Sequence, residues 1–370
     1  MREKIKTFFC LFIVCICMGL TVNADEAIRV YVNGKRLNNS VILSGDRTYI
    51  PLRAVGEAMG AEVIWEEDSK SVYVNFTEDD MVAQTAYDVS PSVVSIIGNY
   101  KSSSESAKYN NPTIHGSGVI YKSNGYIITN AHVVKDITNT TVVLNDGSSW
   151  PGDVLFSDET ADLAIIKIYK LGLIPIKMAE PESVVSGKTA IAIGTPISMS
   201  MRNTVTKGIV CGNNVTVSDS YYKLLQTDAT INPGNSGGPL LNIKGELIGI
   251  NSSKYTGMGI ENMAFAIPVD TVIYAISQFE SYGKILRPDF KISLEQSWEA
   301  KIGLPTNKGL TVKQFDGANL KEGDKVTAVN GIEVHSITDW NEALKNTYNG
   351  KDAVVSYIRD GVQADTIIYG

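Results

Sequence analysis

Histidine and cysteine are both scarce in this chain of 370 residues. The three histidines are His115, His132 and His335, and of the four cysteines only Cys211 lies beyond residue 17. One remaining cysteine cannot form an internal disulfide. No His/Cys cluster has the spacing of a metal site. We therefore expect no metal and no other cofactor.

Positive charge is also in short supply. Lys and Arg total 33 against 40 Asp and Glu, which gives a formal net charge of -7. Outside the first few residues, no run of Lys or Arg occurs that would favour nucleic-acid binding. The 44% hydrophobic and 20% charged residues are typical of a globular protein. The length predicts two or three domains.

Long apolar runs are limited to one, at residues 8–20. It follows the basic residues Arg2, Lys4 and Lys6 and precedes the small residues of a cleavage site at Ala24. The run is shorter than the roughly 20 residues that span a bilayer. Residues 1–24 are therefore predicted to be a signal peptide of an exported protein, secreted or associated with the cell envelope. Retention through an uncleaved anchor is the alternative.

Three folded regions are predicted after this leader, at residues 25–77, 80–282 and 283–370. In the first, alternation at 28–32 and Asn33-Gly34 predict a strand and a tight turn. Helical spacing covers 51–59, and two more strands are expected at 61–65 and 71–76. The pattern indicates a small α+β module.

The second region is rich in short apolar segments separated by turn signals such as Ser123-Asn124-Gly125. Many short strands without alternating long helices favour antiparallel barrels. A polar stretch at 101–112 predicts an exposed loop, and 268–282 predicts a closing helix that ends at Gly283. The predicted strands are Val93–Ile97, Gly118–Tyr121, Tyr126–Thr129, Thr141–Leu144 and Leu163–Ile168.

Within this region His132, Asp162 and Ser236 occur in the order found in chymotrypsin-like proteases. A serine hydroxyl is a poor nucleophile at neutral pH unless a neighbouring imidazole takes its proton. The imidazole in turn needs a carboxylate to fix its tautomer and stabilise its charged form. We therefore assign Ser236 as nucleophile, His132 as general base and acid, and Asp162 as the orienting carboxylate. His115 and His335 lack such a context and are given no catalytic role.

The glycines around Ser236, in Gly234-Asn235-Ser236-Gly237-Gly238, have a separate reason. An oxyanion forms during acyl transfer, and backbone N–H groups must point at it from a tight turn. The pattern predicts that the amides of Gly234 and Ser236 form this oxyanion hole.

Residues 115–270 resemble the HtrA/Deg family of serine proteases. The resemblance is carried by several segments along this region: Gly116–Ile120, Gly125–Asn130, Ala161–Ala164, Ala192–Pro196, Gln226–Leu240, Gly249–Asn251 and Ala264–Pro268. It implies a double six-stranded antiparallel β-barrel of chymotrypsin type, cleavage of unfolded polypeptides and a homotrimeric core. Asn235 stands where many digestive proteases carry Asp, which indicates regulation by loop ordering instead of zymogen cleavage.

The substrate pocket is expected to involve Ile231 and the segment Asn251-Ser252. No acid occupies the pocket position around Thr230, so we expect small or medium apolar residues before the scissile bond rather than Lys or Arg.

The two flanking regions resemble known modules. Residues 283–370 resemble a PDZ domain through Leu320–Gly331 and Ser356–Gly361, which implies binding of C-terminal peptides by strand addition. However, Phe290-Lys291-Ile292 replaces the usual glycine-containing carboxylate loop, so a purely structural role is the alternative. Residues 25–77 resemble the copper amine oxidase N-terminal-like domain through Arg47–Ala54 and Gly60–Trp65. Lacking copper ligands, this module is expected to contact the cell envelope.

The sequence thus predicts a mainly β, exported serine endopeptidase for protein quality control, with no nucleic-acid partner. Two other classes stay open: a chaperone or binding protein with an intact protease fold, and an adhesion or scaffold protein that acts through its first module.

Overall fold

The computed structural model describes residues 28–32, 35–38, 41–101, 113–217, 220–255 and 263–370. The predicted signal peptide, the turn at Asn33-Gly34 and the predicted loop from residue 102 onward lie outside these residues. Two compact units are present, the first ending at Met81 and the second running from Val82 to Gly370. Among the described residues, no helix is long and apolar enough to cross a membrane.

The first unit contains three two-stranded hairpins and one helix. The predicted strand at 28–32 is regular only over its last two residues, whereas the helix and the last two strands lie where the pattern placed them. Helix α1 packs closely on the third hairpin. A Cβ on Gly56 would lie only 2.6 Å from the Val63 side chain, so the close approach needs glycine. The elements are β1 (Tyr31–Val32), β2 (Lys35–Arg36), β3 (Ile42–Ser44), β4 (Arg47–Tyr49), α1 (Leu52–Ala58), β5 (Ala61–Glu66) and β6 (Ser71–Phe76).

Helix α2 (Glu78–Val89) leads into the second unit, which begins with a seven-stranded antiparallel sheet. Its order is β11-β10-β7-β8-β9-β13-β12, and Gly152 alone separates the two end strands, so the sheet curls into a half-barrel around buried isoleucines. A short helix, α3 (Ala131–Lys135), follows β9. The strands are β7 (Val93–Tyr100), β8 (Thr113–Lys122), β9 (Tyr126–Thr129), β10 (Ile137–Val143), β11 (Ser149–Pro151), β12 (Asp153–Asp158) and β13 (Leu163–Lys167).

The next sheet closes into a barrel of six strands, because β19 pairs with both β18 and β20. A seventh strand, β14, adds to β19 in parallel. Helix α4 (Val269–Tyr282) then ends at Gly283, which has the left-handed φ of +68° that favours glycine. The strands are β14 (Lys177–Met178), β15 (Thr189–Gly194), β16 (Thr204–Val215), β17 (Leu224–Thr227), β18 (Pro239–Leu241), β19 (Glu246–Ser252) and β20 (Ala264–Pro268).

The predicted fold class is therefore confirmed: a mainly β protease fold made of one closed barrel and one half-barrel. The predicted closing helix is also confirmed, within one residue of its expected start.

The last part of the chain is a β-sheet with the order β21-β22-β23-β25-β26, and β24 pairs with β23. Ser336 is the N-cap of helix α6, and its hydroxyl and the carboxylate of Asp339 form a capping box. The elements are β21 (Ile292–Gln296), α5 (Trp298–Lys301), β22 (Leu310–Phe315), β23 (Lys325–Val329), β24 (Ile332–Glu333), α6 (Ile337–Thr347), β25 (Asp352–Arg359) and β26 (Val362–Tyr369).

This last part is tied to the protease fold by polar contacts. Arg287 forms a two-pronged ion pair with Asp158, with N–O distances of 2.6 and 2.8 Å, and its guanidinium lies 5.2 Å from the ring centre of Tyr221. The buried ammonium of Lys345 on α6 binds Asp270 of α4 at 2.7 Å. Paired, hydrogen-bonded charges of this kind hold two surfaces in one register.

Candidate active site

The turn that carries Ser236 lies between β17 and β18 and depends on glycine. Gly234 and Gly237 have φ values of +102° and +84°, which side chains rarely adopt. A Cβ on Gly234 would lie 2.2 Å from the Thr195 carbonyl oxygen, and one on Gly237 would lie 2.1 Å from that of Ser117. Only glycine fits at either position.

His132 and Asp162 meet across the half-barrel. Nδ1 of His132, on α3, lies 2.9 Å from both carboxylate oxygens of Asp162, and the His132 amide donates to Oδ1 at 3.1 Å. Asp162 is 1% exposed, and its carbonyl accepts from the side chain of Asn130 at 2.9 Å. The imidazole is therefore held by its Nδ1 side, which leaves Nε2 as the free edge.

Ser252 lies beside this pair. Its hydroxyl is fully buried and donates to Oδ2 of Asp162 at 2.9 Å. The sequence predicts Ser252 in the substrate-pocket region, and in the structure its hydroxyl supports the Asp162 carboxylate. The partners are 90 positions apart, so no local pattern could have indicated the contact.

The other two expected pocket residues are also buried. The side-chain amide of Asn251 donates to the Pro239 carbonyl at 2.8 Å. Ile231 is 7% exposed and packs in the barrel core with residues such as Ala229 and Leu240. Neither lines the cleft described next.

A cleft of about 310 Å³ opens beside Ser236. Oγ of Ser236 lies 2.6 Å from Oγ of Ser253 and accepts from the Ser253 amide at 2.9 Å. No hydrogen bond joins Ser236 to His132 in the described part of the chain, although both line the cleft. The lining residues are Tyr100, Thr113, Ile114, His115, His132, Val133, Ile197, Pro233, Gly234, Ser236 and Ser253.

The peptide planes around Ser236 are fixed by hydrogen bonds. The Pro233 carbonyl accepts from the Ile197 amide, and the Asn235 carbonyl accepts from the Gly238 amide, both at 3.0 Å. In a trans peptide the C=O and the N–H point in opposite directions. The Gly234 amide therefore points away from Ile197, and the Ser236 amide points away from Gly238. Neither amide donates a hydrogen bond to another described residue.

His115 is brought into this cleft although no role was predicted for it. Its Nε2 is buried without a hydrogen-bond partner among the described residues, and it would lie 2.9 Å from a Cβ on Gly234. Burial lowers the pKa of His115, and the nearby Thr195 carbonyl opposes this effect. The imidazole of His115 packs against the glycine turn. His335 lies far along the chain in the last sheet region, 3.8 Å from Glu333.

The described residues contain no group of three or more His, Cys, Asp or Glu side chains placed to hold a metal ion. The site contains a serine hydroxyl, an imidazole bound to a carboxylate, and the backbone amides of Gly234 and Ser236, which bind no other described residue.

Comparison with known proteins agrees with this geometry. Residues 116–250 match the trypsin-like peptidase domain, residues 306–368 the PDZ domain and residues 19–88 the copper amine oxidase N-terminal domain. The serine protease Do-like HtrA of Lactococcus lactis is 35% identical over 298 residues, 72% of this chain and 73% of that protein. A probable periplasmic serine endoprotease DegP-like of Pseudomonas putida is 29% identical over 372 residues, 97% of this chain and 74% of that protein.

Solved structures give the same result. The HtrA-type protease AlgW with tripeptide superposes with a TM-score of 0.65 at 25% identity, covering 78% of this chain and 95% of that one. The serine endoprotease from Yersinia pestis gives 0.60 at 28% identity, covering 80% and 98%.

Proposed function

The chain belongs to the HtrA family of serine proteases, and from that premise we propose that Ser236, His132 and Asp162 are the triad that cleaves its peptide substrates. It is an HtrA-type serine endopeptidase. The observation that carries the residue assignment is the two-oxygen contact of Asp162 with Nδ1 of His132, beside a cleft that also contains the Ser236 hydroxyl.

In the proposed reaction, Oγ of Ser236 attacks the scissile carbonyl while Nε2 of His132 takes the hydroxyl proton. Asp162 stays ionised and stabilises the imidazolium that forms. The proton then passes to the leaving amine, and the acyl-enzyme remains on Ser236. A water molecule, deprotonated by His132, hydrolyses the ester and regenerates the serine.

The amides of Gly234 and Ser236 form the oxyanion hole in this proposal. Their fixed orientation supports it, because donors that are already aimed need no reorganisation when the charge develops. Loss of one such donor typically lowers turnover by about 10²–10³-fold.

The contact between Ser236 and Ser253 defines the resting arrangement. Because the Ser236 hydroxyl is bound to Ser253, it must turn toward His132 before its proton can move. We infer that substrate entering the cleft displaces Ser253 from the nucleophile.

The proposed substrates are unfolded polypeptides with a small or medium apolar residue before the scissile bond. We keep Ile231, Asn251 and Ser252 as the proposed substrate-pocket region; all three are buried and act from behind its surface. The outer strand β21 supports strand addition by a C-terminal peptide, and the AlgW structures carry a tripeptide or a decapeptide. Lys291 has a φ of +50°, so the backbone keeps a glycine-like conformation where the usual glycine is missing.

The remaining proposals concern place and assembly. The similarity to a periplasmic relative supports export, with residues 1–24 as the signal peptide. We further propose domains at 25–77, 80–282 and 283–370, contact of the first with the cell envelope, and a homotrimeric protease core.

Casein degradation by the purified chain tests the proposed function. We expect wild type to degrade casein and Ser236→Ala to be inactive, with Ser277→Ala, an exposed serine on α4, as the matched control. A chaperone or scaffold would leave casein intact in every variant. Equal degradation by Ser236→Ala and wild type would exclude Ser236 as the nucleophile.

A further inference from the structure

We propose that Ser117 is the positioning residue that holds the oxyanion-hole turn in its working conformation. The inference rests on the proposed role of Gly234 and Ser236 and adds a residue from the other barrel. Ser117 lies on β8 of the half-barrel and is fully buried. A buried polar side chain at such a place needs partners, and these partners are the backbone of the active-site turn.

Three hydrogen bonds join Ser117 to the site. Its hydroxyl donates to the Gly234 carbonyl at 2.8 Å and accepts from the Thr195 amide at 3.0 Å. Its own amide donates to the Ser236 carbonyl at 2.8 Å. One residue thus binds the carbonyls of both proposed oxyanion-hole residues.

The glycines of the turn make room for Ser117. A Cβ on Gly237 would lie 2.1 Å from its carbonyl oxygen, and one on Gly238 would lie 3.1 Å from its Cβ. A Cβ on Gly194, at the end of β15, would lie 3.0 Å from its hydroxyl oxygen. The close approach of three glycines leaves space for a side chain with one hydroxyl and little more.

Ser117 also joins the glycine turn to the segment Thr195–Ile197, and both determine the direction of the Gly234 amide. Thr195, which donates to Ser117, begins the segment whose Ile197 amide fixes the Pro233 carbonyl. Without the hydroxyl, the Gly234 carbonyl and the Thr195 amide would both be buried and unpaired. Buried polar groups without a partner are unfavourable, so the turn would gain by rotating toward other partners. That rotation would move the Gly234 amide out of line with the oxyanion.

The test compares Ser117→Ala with Ser95→Ala in the full-length chain. Ser95 is a matched control because it is buried, lies on the neighbouring strand β7 and binds the Thr195 hydroxyl at 2.6 Å, and its side chain makes no hydrogen bond to the turn among the described residues. The readouts are kcat and KM on a peptide substrate, the affinity of a peptide boronic acid that mimics the tetrahedral adduct, and the urea unfolding midpoint.

We expect Ser117→Ala to lower kcat by about 10- to 100-fold with KM within about twofold of wild type, since the lost interaction acts in the transition state. Boronate affinity should fall in parallel, while Ser95→Ala should keep both values. Wild-type kcat in Ser117→Ala would overturn the proposal, as would an equal loss in Ser95→Ala.

If Ser117→Ala does not fold, Ser117→Cys decides the question, because a thiol is a weak donor of similar shape. Reduced kcat at unchanged KM supports the proposal, and an unchanged kcat refutes it. Activity in Ser236→Ala would instead refute the proposed function itself, so the two failures are distinguishable.

Discussion

The buried ammonium of Lys345 offers a direct test of how the last part of the chain is held against the protease fold. Its side chain is 1% exposed and binds Asp270 at 2.7 Å, Glu342 at 2.6 Å and the Thr271 hydroxyl at 2.9 Å. Glu342 lies on the same helix, whereas Asp270 and Thr271 belong to α4. The change Lys345→Met keeps the length of the side chain and removes its charge.

The free-energy cost of Lys345→Met depends on the two carboxylates that lose their partner, Asp270 and Glu342. Removing one partner of a buried ion pair costs about 3–5 kcal/mol because the other charge stays buried. Asp270 is 38% exposed and can rehydrate, and Glu342 still accepts from the Lys223 amide at 2.7 Å. We therefore expect the lower end, about 3 kcal/mol, which is roughly a 100-fold increase in the undocked population. Ala343 and Leu344, next to Lys345 on α6, pack into the hydrophobic core of residues 290–368 and should keep that part of the chain folded.

Limited digestion with trypsin in a Ser236→Ala background measures this opening. The exposed Lys284 lies in the connection between α4 and β21, and its cleavage can be followed by mass spectrometry. Lys345→Met should be cut there much faster than the control Lys351→Met, which changes an exposed lysine of the same region. Equal rates of cleavage after Lys284 in the two variants would refute the reasoning.

Three further predictions concern the candidate active site and the C-terminal sheet of residues 292–369. Asp162→Asn should lower kcat by about 10⁴-fold through the wrong His tautomer, and a loss below tenfold in a peptide assay would contradict its role. Ser253→Ala should speed fluorophosphonate labelling of Ser236 by about 2- to 10-fold, since it removes one competing hydrogen bond; slower labelling would oppose the resting-state account. Hydrogen bonding to Arg359 lowers the pKa of Asp324, so its contribution to stability is present above the unfolded pKa of about 4 and is lost as pH falls through the folded value. Unfolding midpoints from pH 7 to 3 should therefore fall less steeply in Asp324→Asn than in wild type.

The sequence predicted those features that depend on local patterns. The helix that ends at Gly283 follows from periodicity and a cap. His132, Asp162 and Ser236 each lie in a short segment on which the proposed triad is based, and the structure brings His132 and Asp162 into contact. The sequence also predicts where strands occur, although it places Ile28 in a strand that begins only at Tyr31.

What the sequence could not show are contacts between distant segments. Ser117 and Gly234 are 117 positions apart, so nothing near either residue indicates that they bind. The same holds for the hydrogen bond from Ser252 to Asp162, whose partners are 90 positions apart. His115 reached the cleft through the pairing of β7 with β8, a tertiary event that its own neighbours in the chain do not encode.

The central claim is that Ser236 is the nucleophile, and mass spectrometry of the fluorophosphonate-treated chain tests it most directly. The account predicts a single covalent adduct on the peptide that contains Ser236, absent from Ser236→Ala and strongly reduced in His132→Ala. An adduct on another serine, or equal labelling of His132→Ala and wild type, would contradict it.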